Sequence, residues 1–345
     1  MVEAVEKFFN VYAICKYSSE SLKSNCKHVY HLDSYSEKKI KELLNLIDPF
    51  ETKKILVGSG FAENIKTNYL GKRENIGNSF KTLKNINSPE IFFSKLRKCK
   101  VRYPKWKFNA PRNKKNWLIK GEKSVGGLLV KKLTNEKIPR FSKKQYFQRF
   151  IEGDIISVQF FSYKKNVNLL STHTQWLYEK ANPTLLLGGI ITKQLTKSLK
   201  KKIKRITKKI SLNFKLNGLN SIDFIVSKKN KKIFVIEINA RPGLTINSLK
   251  EIYKEKLLIR KNNFIFSKKF YASSIIYSKK CFFFSEKIRR KLKKIQTKLK
   301  ISEIGMNNEI IKKKEPLCII HSCSKSEKTT RDIIEKYSKK IIDFT

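Results

Sequence analysis

Acidic side chains are scarce in this sequence: 28 Asp and Glu stand against 77 Lys and Arg in 345 residues, a formal net charge of +49. Long apolar runs are missing as well. No stretch approaches the roughly 18 uninterrupted apolar residues that a membrane-spanning helix needs. The first twenty residues, MVEAVEKFFNVYAICKYSSE, carry acids and lysines where a signal peptide would need an apolar core. A membrane span and secretion are therefore disfavoured, and a cytoplasmic location is expected. The six cysteines (Cys15, Cys26, Cys99, Cys281, Cys318 and Cys323) form no CxxC pair, which argues for reduced thiols and against a disulfide framework. No repeat of solenoid length is present.

What is present is enough apolar material, 40% of residues, for one large or two ordinary domains despite the charge. The positive excess invites nucleic acid as a partner, because each phosphate neutralised releases counterions. The lysines, however, occur on helix faces, in turns and at strand ends alike, in company with many Asn and Ile. Such a spread points to a uniform bias of the kind AT-rich codons produce, whereas a nucleic-acid face clusters its charge.

Short β-branched or aromatic runs alternate with longer helical ones, which predicts an α/β or α+β fold. KILVGSG (54–60) reads as a buried strand ending in a glycine turn, after a helix over 36–48 with Ile40, Leu43, Leu44 and Ile47 at helical spacing. SPEIFFSKLRKCK (88–100) opens with a Ser cap and Pro at the first helical position. WLIKG (117–121) and LLVKKL (128–133) are strand-like runs joined by the loop EKSVGG. Further strands are expected in YFQRFIEGDIISVQFFSY (146–163), NVNLLSTHTQWL (166–177) and LCIIHSC (317–323), basic helices over 196–214 and 285–300, and an amphipathic helix in TRDIIEKYSKKII. DFIV and IFVIEIN flank a Lys/Asn turn and predict a hairpin within 223–243.

That hairpin carries the chemistry. Asp223 heads one strand; Glu237 and Asn239 lie two apart on its partner and so project from the same face. Three hard oxygen ligands suit Mg²⁺ when nucleotide phosphates supply the rest. Arg241 follows, a cation able to clamp a transferring phosphoryl group or an acyl phosphate. Acids inside an apolar strand such as FVIEIN are costly unless paired or metal-bound, which weighs against a chance surface hairpin. Upstream, Lys120 lies within a strand, where it can reach nucleotide phosphates, and the loop of Ser124, Val125, Gly126 and Gly127 can bring backbone N–H groups close to them. Gln148, Phe150 and Ile151, before Glu152 and Gly153, read as a strand edge able to receive an adenine.

With WLIKGEKSVGG (117–127), YFQRFIEG (146–153), Asp223 in SIDFIV and EINARPG (237–243) in that order, the sequence resembles the ATP-grasp superfamily. The details look most like a branch of carboxylate-amine ligases that includes relatives of the tyramine-glutamate ligase of methanofuran synthesis. A GSGF element (Gly58 to Phe61), a GN pair (Gly77 and Asn78), Ser157 with Thr174, Gln175 and Trp176, and a late PLCIIHSCS (316–324) carry that likeness.

The resemblance implies an ATP-grasp fold, two α+β lobes gripping ATP, behind an N-terminal α/β pre-ATP-grasp domain. The expected division is 1–100, 101–250 for the ATP-grasp domain, and a C-terminal extension 251–345 that completes it. It also implies a carbon–nitrogen ligase in which Mg-ATP phosphorylates a carboxylate and an amine attacks the acyl phosphate to give amide, ADP and phosphate. Lys120 and the 124–127 loop would hold phosphates, Gln148 to Ile151 the adenine, and Asp223, Glu237 and Asn239 would bind Mg²⁺ or Mn²⁺. Arg241 would stabilise the phosphoryl and acyl-phosphate charge, making it and Lys120 the catalytic pair. Glutamate or a cofactor precursor is the suggested substrate, with a small-molecule acid and amine as partners, no membrane, and a homodimer compatible with the scheme.

Two departures stand out. SPEIFFSKL offers no counterpart to a second phosphate-facing lysine, and Ile155 occupies the place of a ribose carboxylate, with only Asp154 near. Two other functions stay open: nucleic-acid binding on a degenerate ATP-grasp scaffold, discriminated by a salt slope indifferent to ATP, and phosphotransfer to a non-carboxylate acceptor. Cys26, His28 and His31, like Cys318, His321 and Cys323, have metal-ligand residue types but no fourth ligand at familiar spacing. His173 falls beside the expected substrate cleft, Trp117 and Trp176 read as core aromatics, and the GxG at Gly58 to Gly60 lacks the rest of a dinucleotide fingerprint.

Overall fold

Several helices in this chain start where a side chain supplies the cap. A computed structural model describes residues 2–64, 70–134, 138, 140, 144–178, 181–253, 267–305 and 309–343. Ser36 accepts from the Lys39 N–H ahead of Glu37–Ile47, Ser79 from Thr82 ahead of Phe80–Asn87, Thr196 from Leu199 ahead of Lys197–Phe214, and Ser326 from Thr329 ahead of Glu327–Ile342. Each bond satisfies an N–H that the first helical turn leaves without a partner. Pro89 opens the helix Pro89–Lys98 as expected, but Ser88 makes no cap bond; its hydroxyl turns to Glu90 at 3.0 Å.

The chain divides into two compact units, one of residues 51–187 and 193–243, the other of 1–50, 188–192 and 244–345. Residues 51–100 go with the first of these units because their helices pack on Lys197–Phe214: Thr82 Oγ1 donates to the Phe214 carbonyl at 3.2 Å, and Lys95 Nζ to the Asn213 carbonyl at 2.9 Å.

The 51–187/193–243 unit holds two antiparallel sheets. One is ordered Trp106–Lys107, Gln145–Arg149, Trp117–Gly121, Val130–Lys132. The other runs Ile233–Asn239, Gly218–Ser227, Gly153–Tyr163, Asn166–Leu177. Side chains alternate along Gly153–Tyr163. Ser162, on the face of the fully buried Val158 and Phe160, bonds Ser211 of the helix Lys197–Phe214 at 2.7 Å. That face is core, which leaves Ser157 and Gln159 on the other. The expected strand at 54–60 is reduced to a single parallel bridge, Ile55 to Asn75, and the glycines after it lead into the short helix Phe61–Asn64.

In the second unit, Leu187–Thr192 (from 188 onward), Phe270–Tyr277, Pro316–Ser324 and Ile301–Ser302 form an antiparallel set in that order, covered by Glu327–Ile342. Tyr12–Cys15 and His28–His31 pair in parallel. His321 bridges two strands: Nδ1 lies 2.9 Å from Ser273 Oγ and Nε2 2.7 Å from Ser302 Oγ. Its neighbours in the sequence do not converge on it, since Cys318 is buried, its thiol pushed up to about 12 by that burial, while Cys323 is exposed. His31 pairs with the exposed Asp33 instead of a metal set. Among the described residues no group of three or more His, Cys, Asp and Glu could hold a metal ion, all six cysteines are free, and no helix is long and apolar enough to cross a membrane.

Candidate active site

The hairpin Gly218–Ser227/Ile233–Asn239 places Asp223 directly opposite Glu237 and Ser221 opposite Asn239. The ladder continues sideways from Asp223 to Ser157 and from Ser157 to His173, so these four side chains form one row across the sheet. Asp223 is hydrogen-bonded by Ser157 and Gln175, and Asn239 Nδ2 donates to its Oδ2 at 3.4 Å. Its Oδ1 is buried with no hydrogen-bond partner. Glu237 makes no side-chain hydrogen bond or ion pair among the described residues. His173 is fully buried, and burial lowers its pKa to about 3, so the ring is neutral.

The GN pair holds this hairpin in place. Asn78 Nδ2 donates to Asn220 Oδ1 at 2.7 Å and to the Ala240 carbonyl at 2.9 Å, while its Oδ1 accepts the Asn217 N–H at 2.9 Å. Both strands that carry the acids are thus tied to one buried amide.

Lys120 stands opposite Tyr146 in the smaller sheet, its Nζ 5.8 Å from the centre of the Tyr146 ring. Burial works against its charge, but the hydroxyl of Tyr146 and the carboxylates of Glu237 and Asp223 outweigh it and raise its pKa. Burial also raises the pKa of Tyr146, against the pull of Lys120. Lys120, Tyr146 and Glu237 line one open cleft, whose walls also include Ser124, Gly127 and Phe92.

The loop after Lys120 fits a phosphate cradle. Gly126 and Gly127 have φ of +59° and +81°, a region that L side chains avoid. A Cβ on Gly127 would lie 1.9 Å from the Leu185 carbonyl oxygen. The backbone N–H groups of 124–127 have no partner among the described residues, whereas the Ser124 hydroxyl is committed to the Leu129 N–H at 3.1 Å. At the strand edge the picture is mixed. The Ile151 N–H has no partner among the described residues, and Gln148, on the Lys120 and Tyr146 face, has a buried Nε2 without one. Phe150 spends its N–H on the Asn116 carbonyl at 2.9 Å, so it has none to give an adenine. Asp154 is exposed and three residues from Ser157, hence on the opposite face from Asp223; the fold does not bring it to the cluster.

Arg241 is buried and already paired. Its Nε donates to Glu63 Oε1 at 2.6 Å, Nη2 to Asn239 Oδ1 at 3.3 Å, and Nη1 to the Pro242 carbonyl at 3.3 Å. Glu63 Oε2 accepts the Gly60 N–H at 2.7 Å. The charge of Glu63 is felt at Glu237, which makes it a third acid of the site. Sequence reasoning missed Glu63 and Tyr146. Glu63 is 178 residues from Arg241 and no local pattern links them; Tyr146 could have been found by counting strand register from Lys120.

Burial is the largest cause of raised pKa values at both Asp223 and Glu237, with Lys120 and Arg241 pulling the other way. An unpartnered buried carboxylate oxygen beside a second unpaired carboxylate is a cost that a divalent cation removes, and the donors are hard oxygens. Asp223 and Glu237 therefore fit Mg²⁺; Asn239 fits as a weaker third donor, because its Oδ1 already accepts from Arg241.

Residues 90–245 match the model of a family described as the ATP-grasp domain. No curated protein matches the chain in sequence. Among solved structures, the chain is similar to an L-amino acid ligase from Bacillus licheniformis, at 14% identity over 99% of this chain and 93% of that one, with a TM-score of 0.72. It is similar to N5-carboxyaminoimidazole synthetase from Staphylococcus aureus complexed with ADP, at 11% identity over 98% and 93%, TM-score 0.72. A third likeness is to the biotin carboxylase domain of Hydrogenobacter thermophilus 2-oxoglutarate carboxylase in complex with MgADP, ADP and bicarbonate, at 12% identity over 97% and 85%, TM-score 0.67. At these identities the likeness is one of fold.

Proposed function

Since the chain carries an ATP-grasp domain in the ATP-grasp fold, we propose that it is an ATP-dependent carboxylate-amine ligase. The observation that carries this reading is the pair Asp223 and Glu237, with Asp223 Oδ1 unpartnered and Glu237 without a side-chain hydrogen bond, acting on Lys120 in the strand that leads into the open N–H groups of 124–127. The Ile151 N–H and Gln148 Nε2 receive the adenine. Lys120 and the loop N–H groups hold the phosphates, and Asp223, Glu237 and Asn239 hold Mg²⁺ or Mn²⁺. Bound there, the cation supplies charge neutralisation between phosphate oxygens. A substrate carboxylate oxygen bonds to the terminal phosphorus as the bond to ADP breaks. Arg241, with one N–H left on each Nη, steadies the resulting acyl phosphate. The amine nitrogen then bonds to the acyl carbon, the carbon–oxygen bond to phosphate breaks, and the nitrogen releases a proton. Catalysis on this scheme is positioning and electrostatics.

The acid is a small amino acid or a cofactor precursor, with glutamate the specific candidate suggested by the GSGF, GN and TQW elements. Small-molecule acid and amine are its partners. The test is Mg²⁺-dependent ADP release across a panel of acids and amines, with amide identified by mass. Release should require the right acid and should vanish in Glu237→Ala; wild-type turnover in that variant would remove the metal assignment, and ADP release without any amide would remove the ligase.

A further inference from the structure

Tyr146 has no part in the scheme above, yet it stands across the strand pair from Lys120 and lines the same open cleft. Its hydroxyl lies within hydrogen-bonding reach of the Lys120 ammonium. An ammonium has donors and no acceptor, so in that pair the phenol oxygen accepts. The phenol hydrogen is left over, and nothing among the described residues takes it. Burial holds the phenol pKa above its ordinary value, so that hydrogen stays in place throughout the neutral range. By donating to the oxygen, Lys120 polarises the O–H and makes it a better donor. The ring itself is fixed, packed edge-on against Phe93 and Trp106 with centroids 6.0 and 6.4 Å away. Elsewhere the cleft is short of side-chain donors. The wall from the helices Phe80–Asn87 and Pro89–Lys98 offers Ile86, Pro89 and Phe92, which have none, and Asn87, whose Nδ2 already donates to the Ala62 carbonyl at 2.9 Å.

We infer that the Tyr146 hydroxyl is a phosphate ligand: it donates to a phosphate oxygen of the bound nucleoside di- or triphosphate, beside an oxygen held by Lys120. The inference rests on the nucleotide site of the reading above and deepens it, since it adds a neutral donor to the phosphate contacts. Lys120 supplies charge, and Tyr146 supplies direction. An ammonium is a point charge with rotatable donors on a flexible stem, whereas the phenol offers one donor on an oxygen that the packed ring holds in place.

The test is equilibrium binding of MgADP and of adenosine to the full chain by calorimetry, in wild type, Tyr146→Phe, Lys120→Met and the double variant. Phenylalanine keeps the ring packing, so adenosine affinity should be unchanged. MgADP affinity should fall by about tenfold to a hundredfold, as loss of a hydrogen bond to a charged group implies. On the Lys120→Met background a direct ligand should still show a loss of at least about fivefold, whereas a residue that acts only by positioning Lys120 would show none. Unchanged MgADP affinity in Tyr146→Phe, an equal loss for adenosine, or no loss on the Lys120→Met background would overturn the proposal. Should Tyr146→Phe not fold, Tyr146→Leu, which also lacks the hydroxyl, takes its place. Absence of MgADP binding by wild type would overturn the nucleotide site and the proposal together. MgADP binding through Tyr146 with no amide formed would remove the ligase alone.

Discussion

Asp223 and Glu237 are direct partners across an antiparallel ladder, and the register shifts immediately beyond them, between Asp223 and Phe224. Two like charges opposite each other destabilise a sheet unless a cation lies between them. The pair is therefore a liability in the bare protein that a bound divalent cation would relieve.

The liability has a pH signature. Both carboxyls have raised pKa values in the fold, so the folded chain holds protons that the unfolded chain has released. Their contribution to stability is full at low pH and is lost as pH rises above the ordinary carboxylate range. In denaturation with EDTA present, Glu237→Gln should gain on wild type progressively from about pH 5 to about pH 8, and Mg-ATP should stabilise wild type far more than the variant. A pH-independent difference between the two proteins would contradict the arrangement.

Gly126 and Gly127 separate binding from folding. An alanine at Gly127 meets the Leu185 carbonyl oxygen at 1.9 Å with φ at +81°, and should destabilise the protein by about 3 kcal/mol. At Gly126 nothing lies within 4 Å of an added Cβ, so the left-handed φ alone costs about 1 kcal/mol. Gly126→Ala should fold yet bind ATP more weakly, because the methyl group projects where phosphates approach. Thermal melts with and without nucleotide distinguish the two variants.

Asn78→Ala should cost about 2–4 kcal/mol, since it leaves Asn220, the Asn217 N–H and the Ala240 carbonyl short of buried partners. Ala240 adjoins Asn239 and Arg241, so magnesium-dependent nucleotide affinity should fall too. Titration of MgADP into a variant confirmed as folded measures that second loss.

His321 opposes acid. Burial, with Lys300 adding to it, lowers its pKa from 6.5 to about 4, so the folded state refuses a proton that the unfolded chain accepts. Stability is full above pH 6.5 and falls as pH drops toward 4, by about 3 kcal/mol in total. His321→Asn should flatten that part of the profile in urea melts, and a profile as steep as wild type would exclude His321 as its source.

Much of the candidate site's geometry was legible. The Glu237 and Asn239 spacing survives intact, because strand periodicity is a property of the backbone itself. The same periodicity already separates Asp154 from Ser157, a signal present in the sequence but unused. Phe150 was less accessible to such reasoning: its N–H is taken by Asn116, and that depends on which strand lies alongside. Arg241 was read as a candidate cation of the site, but its partner Glu63 was not seen, and the partner alters what the cation is free to do.

The sequence by itself determined most of the helix spans, the hairpin with its two acids, the glycine loop after Lys120 and the overall excess of positive charge. These follow from hydrogen bonding and alternation over a few residues. Only the tertiary structure decided that Glu63 meets Arg241, that Asn78 clamps both acid-bearing strands, and that residues 51–100 fall in one compact unit with residues 193–243. Such contacts join segments more than a hundred residues apart, where no local periodicity reaches and the outcome rests on which buried polar groups find each other as the core closes.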